Sequence, residues 1–196
     1  MRNSILALSI ILISLTIGFG SRAESMRAND SAAPAGNDFQ KETEWIKFTS
    51  PEGRFSVFLQ HEPKFEEVAA TETSGVTNYR YSDLESGYGF ICEYFDVATI
   101  GANPQDFLDV TRDGIVRGAG ATKVGEEKIS LNSYPGRELQ LAFTVNEGTE
   151  ITARTRIYLV DKRLYSLTFL HVKSMGALLA SDLGKKFFSS FEVKPK

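Results

Sequence analysis

Two arginines and a tyrosine in the second half of the chain are the residues best suited to bind a ligand. Arg154, Arg156 and Tyr158 alternate within Ile151–Val160, a segment rich in strand-forming residues, so their side chains share one face of a predicted strand. Arg137 lies on the neighbouring predicted strand and could join them. Guanidinium groups beside a tyrosine hydroxyl can hold a carboxylate or a phosphate. These four residues are therefore a candidate ligand-binding face.

A structural role for the same arginines is the alternative. Glu138 and Glu150 are available as cross-strand partners on a solvated sheet face. A helix covering the sheet would also hide much of this face from a ligand. We prefer the structural interpretation, and the binding face remains a hypothesis that substitution can test.

Catalytic and metal-binding patterns are missing from the sequence. Nucleophilic hydrolysis needs a base beside a serine or cysteine, whereas His61 lies in a proline-flanked loop, His171 at a strand end and Cys92 in an apolar strand. Two isolated histidines and one cysteine have no zinc-ligand spacing. The neighbouring glutamates of the pairs 66–67 and 126–127 point to opposite faces of a strand, so they are not expected to share a cation. We predict no catalytic residues, no metal site and no cofactor.

Composition limits the remaining classes of protein. The 196 residues, of which 42% are hydrophobic, suffice for one domain of ordinary size. A net charge of −3 excludes a strongly basic nucleic-acid binder, and a single cysteine excludes a disulfide scaffold.

The first 23 residues have the pattern of a secretory signal peptide. Arg2 precedes an apolar run from Ile5 to Phe19, and Ser21-Arg22-Ala23 places small residues at the cleavage positions. A membrane span needs about 20 apolar residues, so we expect cleavage and a periplasmic or extracellular location without a stable membrane span. The alternative is a protein anchored by an uncleaved signal. Residues 24–42 are small and polar, and we interpret them as a flexible leader.

Residues 43–196 are predicted to form a single α+β domain on a mainly antiparallel sheet flanked by helices. Strands are expected around Phe55–Leu59, 79–81 and 88–97, and then at 124–131, 137–145, 151–160 and 163–172. Asn103 and Pro104 begin a helix that ends at Gly118 or Gly120.

The ends of several of these elements are also predicted. A second helix follows Ser174, with Met175, Leu179, Leu183, Phe187 and Phe191 on its apolar face and Lys185 and Lys186 outside it. Tyr134–Arg137 has the residues of a type II turn, and Asp161-Lys162 those of a hairpin loop.

Five short motifs, in order along the chain, carry a family resemblance. They are Trp45–Phe48, Ser50–Val57, Tyr134–Glu138, Arg163–Tyr165 and Phe187–Phe191. Together they resemble the PsbP-like fold family, the group of photosystem II extrinsic proteins, Mog nuclear-import factors and bacterial DcrB lipoproteins. The resemblance implies an α/β/α sandwich around an antiparallel sheet. It also implies a role in binding partners, since most members of the family are noncatalytic.

The resulting functional prediction is a secreted, noncatalytic binding or accessory domain. It would act through a surface for a protein of the cell envelope or for a small ligand. The alternative is a periplasmic hydrolase or another enzyme whose site the sequence does not reveal. A deep pocket with converging titratable groups would favour the enzyme, and a shallow groove would favour the binding domain.

Overall fold

A computed structural model describes residues 44–70, 75–145 and 148–194, so the predicted signal peptide and the whole predicted leader lie outside the described residues. The strands are β1 (Ile46–Ser50), β2 (Phe55–Leu59), β3 (Lys64–Val68), β4 (Asn78–Glu85), β5 (Tyr88–Asp96), β6 (Thr122–Leu131), β7 (Tyr134–Thr144), β8 (Glu150–Val160), β9 (Arg163–Val172) and β10 (Glu192–Val193). The helices are α1 (Pro104–Gly118), between β5 and β6, and α2 (Ala177–Ser189), between β9 and β10.

Two antiparallel sheets form the domain. The larger has seven strands in the order β3-β4-β5-β9-β8-β7-β6, and the smaller has three in the order β1-β2-β10. The strand predicted to be apolar on both faces, β5, is buried over most of its length between β4 and β9. Its double burial fits a strand inside a sheet that is covered on both sides. The predicted α+β class with a mainly antiparallel sheet is confirmed.

The larger sheet has a separate hydrophobic core on each face. On one face, α2 and the small sheet cover a core that includes Phe55, Phe90, Tyr165 and Phe187. On the other, α1 covers a core that includes Leu108, Leu139, Ile157 and Leu164. Alternating residues of β8 and β9 enter the two cores in turn, because neighbouring side chains of a strand point to opposite faces.

Helix α1 has the start and end that the sequence predicts. The Asn103 side chain caps it by accepting a hydrogen bond from the backbone N–H of Gln105 at 3.1 Å, and Pro104 occupies the first turn. Leu108, Thr111 and Ile115 form its buried stripe. The helix ends at Gly118.

The predicted type II turn at Tyr134–Arg137 is wrong, because these residues belong to β7. The chain reverses two residues earlier, where Asn132 takes a φ of 55°, a left-handed conformation that asparagine tolerates well. Gly136 is instead required by packing: a Cβ there would lie 2.5 Å from the carbonyl oxygen of Ile157. The hairpin loop at Asp161-Lys162 is confirmed, and Asp161 has a φ of 54°.

The predicted apolar face of the second helix is only partly correct. Helix α2 begins at Ala177, and Leu179 is 55% exposed. Leu183 and Phe187 are buried as predicted, and Ala180 is buried although the predicted face omitted it. A strict four-residue spacing rotates by about 40° per step around a helix of 3.6 residues per turn, so a stripe drawn that way drifts off the buried face. Phe191 is buried, but it lies beyond the helix end.

Neither α1 nor α2 combines the length and the apolar character that a membrane span requires.

Candidate functional site

Arg154 and Arg156 lie on the same face of β8, as predicted, but α2 and a glutamate hold both of them. Nε of Arg156 donates to Oε2 of Glu138 at 2.6 Å, and Nε of Arg154 lies 3.8 Å from Oε1 of the same carboxylate. The two guanidinium carbons lie 4.7 Å and 5.7 Å from the ring centre of Phe188 on α2. Their charges are therefore engaged in a cross-strand pair and in cation–π contacts.

Tyr158 shares the face of Arg154 and Arg156, as predicted, but its side chain is not open to a ligand. The Tyr158 side chain is buried and stacks on Phe191 with 6.1 Å between ring centres, and burial raises the pKa of its hydroxyl. Arg137 lies on the opposite face of the sheet, since it neighbours Glu138 along the strand. There it is 2% exposed and donates to Asp109 of α1 at 2.8 Å. The structure thus does not bring the four residues together.

A tight turn between β1 and β2 is fastened to the larger sheet by two of the resemblance motifs. The backbone N–H of Gly53 donates to Oγ of Ser50 at 3.0 Å. Nη1 of Arg163 donates to the carbonyl oxygen of Glu52 at 2.5 Å, and the Tyr165 hydroxyl donates to that of Gly53 at 2.8 Å. These bonds fix the turn above the end of β9.

The fixed turn forms one wall of an aromatic pocket with a volume of about 460 Å³. The residues lining this aromatic pocket are Glu52, Phe65, Tyr79, Tyr81, Tyr94, Asp96 and Arg163. They come from the turn and from β3, β4, β5 and β9, the neighbouring strands at one side of the larger sheet. The pairing of strands in the sheet brings these residues together, although they are far apart in the sequence.

Stacked rings form the floor of the aromatic pocket. Tyr79 and Tyr94 lie with their ring centres 5.0 Å apart and nearly parallel, and Phe65 and Tyr81 are also 5.0 Å apart. Phe65 is 51% exposed, an unusual state for a phenylalanine in a chain with two well-covered cores. Burial raises the pKa of Tyr94 from its ordinary value of 10.0 to about 12.

The polar rim of the aromatic pocket carries more negative than positive charge. Arg163 donates to both carboxylate oxygens of Asp96 at 2.7 Å, and its guanidinium carbon lies 4.6 Å from the Tyr94 ring centre. The hydrogen bond that Arg163 donates to Asp96 raises the pKa of Arg163, so the guanidinium group stays charged. Glu52 adds a second, exposed carboxylate. Aromatic faces beside excess carboxylate are the chemistry that binds an organic cation.

The sequence contained one signal of this pocket. Tyr79 and Tyr81 have the two-residue spacing that places both rings on one face of a strand, and this alternation predicts a strand. The partners that complete the pocket, Phe65 and Arg163, lie on strands whose pairing a single sequence does not reveal.

The single cysteine lies away from any exposed site. Cys92 is free and 2% exposed within β5. Burial raises the pKa of its thiol, whereas a nucleophile needs a lowered pKa.

Comparisons with known proteins show the fold. No protein-family model matches the chain, and no curated protein is significantly similar to it in sequence. The solution structure of cyanobacterial PsbP from Synechocystis superposes with a TM-score of 0.53 at 12% identity, covering 83% of this chain and 98% of that one. A Pseudomonas aeruginosa protein of unknown function superposes with a TM-score of 0.50 at 10% identity, covering 78% and 99%. The chain therefore has a PsbP-like fold, as the five motifs implied.

Proposed function

We propose that this chain is an exported, noncatalytic binding or accessory domain, and that its ligand surface is the aromatic pocket. The observation that carries the proposal is the half-exposed Phe65, which contacts Tyr81 in a pocket also lined by the Arg163–Asp96 pair and Glu52. Large apolar side chains left open to solvent in a concave site mark a binding surface.

The charge of the pocket points to a cationic group as the ligand. Arg163 is neutralised by Asp96, which leaves the carboxylate of Glu52 and the faces of the aromatic rings to attract positive charge. A lysine or arginine side chain of a cell-envelope protein fits this chemistry. The predicted signal peptide supports such a partner, since it would deliver the chain to that compartment.

Affinity capture from an envelope extract tests the proposal, with bound proteins and small molecules identified together. Phe65→Ala removes an exposed ring without opening a core, so its fold should persist while capture falls by about tenfold or more. Glu52→Gln should reduce capture more at low salt than at high salt, because salt screens the charge that this variant removes. Val124→Ala is the matched control, because Val124 is 60% exposed on β6, at the opposite edge of the sheet.

Three outcomes of this experiment decide between the interpretations. Equal capture by the wild type and the Phe65→Ala variant contradicts the pocket as the ligand surface. Recovery of a small organic cation in place of a protein changes the partner but keeps the pocket. Recovery of a chemically altered small molecule supports the alternative, a hydrolase or another enzyme.

Export has its own measurement. The intact mass of the exported protein should correspond to a chain that begins near Glu24. A chain that retains Met1 and fractionates with membranes supports the anchored alternative.

A further inference from the structure

A histidine and two carboxylates converge at the far end of β4 from the aromatic pocket. His61 belongs to the loop between β2 and β3, and Asp83 and Glu85 share one face at the end of β4. Nδ1 of His61 lies 3.1 Å from Oδ1 of Asp83 and 3.2 Å from Oε1 of Glu85. One donor atom from each residue lies within 4.8 Å of those of the other two.

Hydrogen bonding alone leaves this cluster incompletely satisfied. Nδ1 of His61 carries at most one proton, so it can donate a well-aligned bond to only one of the two carboxylates. The two carboxylates also repel each other at this separation. A divalent cation removes the repulsion and uses all three donor atoms. With metal–ligand bonds of about 2.0–2.2 Å, donor atoms around one ion lie about 3–3.5 Å apart, as the two His61 contacts do.

The buried carboxylate is held in place by the backbone. Asp83 is 5% exposed, and its Oδ2 accepts hydrogen bonds from the N–H groups of Gln60 and His61 at 2.9 Å and 3.0 Å. These bonds leave Oδ1 turned toward the imidazole. Outer hydrogen bonds that orient a ligating carboxylate are a regular feature of metal sites.

The surroundings of the cluster are polar and partly open. The side chain of Gln60 is 6% exposed, accepts a hydrogen bond from the Tyr88 hydroxyl through Oε1, and leaves Nε2 buried without a partner. Burial, and to a lesser extent the charges of Glu85 and Asp83, raise the pKa of Tyr88. The half-exposed side chains of His61 and Glu85 leave solvent access for an ion and its water ligands.

We propose that His61, Asp83 and Glu85 form a binding site for a divalent transition-metal ion. One imidazole nitrogen and two carboxylate oxygens suit Zn²⁺, and two carboxylates balance its charge. The bound ion would tie the loop between β2 and β3 to the end of β4. This site is independent of the aromatic pocket, so either proposal can fail alone.

The spacing of the two acidic residues is a sequence signal for half of this site. Asp83 and Glu85 alternate, so on a strand both point to one face. The prediction of no metal site considered adjacent glutamates and isolated histidines. The loop brings His61 to this face, although 22 residues separate it from Asp83.

Calorimetric titration of the chelator-treated protein with ZnCl₂ tests the site. We expect one Zn²⁺ per chain and a higher melting temperature in its presence. His61→Ala and Glu85→Gln change exposed side chains, so both variants should fold. His61→Ala should weaken Zn²⁺ binding by about 100-fold or more, and Glu85→Gln by about 10-fold or more.

Matched controls separate this site from general affinity for histidine and acid groups. His171→Ala removes the other histidine, and Glu67→Gln removes an exposed glutamate of β3; both should bind Zn²⁺ as the wild type does. Absence of Zn²⁺ binding, or unchanged binding by His61→Ala, overturns the proposal. Equal affinity for Ca²⁺ that survives His61→Ala also overturns it, because the imidazole would then play no part.

Discussion

The hydroxyl of Tyr165 donates a hydrogen bond at 2.8 Å to the carbonyl oxygen of Gly53, 112 residues earlier in the chain. The two residues belong to separate motifs of the PsbP-like resemblance. Their bond, together with that from Arg163 to Glu52, fastens the turn between β1 and β2 onto β9. The motifs that identify the fold therefore build a wall of the aromatic pocket.

Removal of the Tyr165 hydroxyl should destabilise this junction. Tyr165→Phe keeps the ring in its buried position and leaves the Gly53 carbonyl without this donor, so the free energy of unfolding should fall by about 1–3 kcal/mol. Denaturant titration measures the change. Tyr134→Phe is the control, because the Tyr134 hydroxyl makes only an exposed 3.5 Å contact with Asp161. Equal losses in both variants would contradict a specific role for the Gly53 bond.

Phe187 and Phe143 should differ in their contributions to stability. Phe187 is fully buried between α2 and β5, and Phe187→Ala should cost about 3–5 kcal/mol. Phe143 is only partly buried at the edge of the other core, so Phe143→Ala should cost about 1–2 kcal/mol. Denaturant unfolding of both variants checks the order, and a larger loss at Phe143 would reverse our assignment of the core.

The two arginines of β8 should contribute little to stability and nothing to partner capture. Arg156→Ala removes the ion pair with Glu138 and the closer contact with Phe188, so the free energy of unfolding should fall by about 1–2 kcal/mol. Arg154→Ala should lower it by about 0–1 kcal/mol. The double variant should capture the same partners as the wild type. If capture disappears while the melting temperature holds, the arginines and not the aromatic pocket are the binding face.

Alkaline pH should weaken the fold through its buried tyrosines. A tyrosine in the unfolded chain titrates near 10.0, whereas burial raises the pKa of Tyr94 to about 12. The folded state therefore keeps a proton that the unfolded state loses, so this stability is complete below pH 10 and declines as pH rises to 12. Burial raises the pKa values of Tyr158 and Tyr165 in the same direction.

Melting temperatures measured from below pH 10 up to pH 12 show this loss. Tyr94→Phe has no hydroxyl to ionise at that position, so its melting temperature should decline less steeply than that of the wild type. Parallel curves would mean that Tyr94 ionises equally readily in the folded and unfolded states.

The elements predicted best are those whose signals lie within the element. Asn103 and Pro104 specify the start of α1 by capping and by a fixed φ, independently of the rest of the chain. The hairpin loop at Asp161-Lys162 depends only on its two flanking strands. Strand β10 has two residues and exists because it pairs with β2, so no local pattern predicts it.

The candidate sites could not be predicted from the sequence either, because long-range pairing and packing bring their residues together. Phe65 and Arg163 meet at the aromatic pocket only because β9 pairs with β5 in the middle of the sheet, a connection set by long-range packing. The alternation of Arg154 and Arg156 was visible, but the helix face and glutamate that occupy them were not. A residue's periodicity predicts its face, and the elements packed on that face decide its role.

The pairing of β10 with β2 has a consequence for folding kinetics. Glu192 pairs with Ser56, so the small sheet joins segments near the two ends of the described chain. The ribosome makes β2 long before α2 and β10. The apolar side chains of β2, which are Phe55, Val57 and Leu59, are therefore buried only when those later segments pack on them. Contacts of such large sequence separation form slowly. This layer is therefore completed only after β10 has been made, and until then the nascent chain exposes an apolar surface that chaperones can bind.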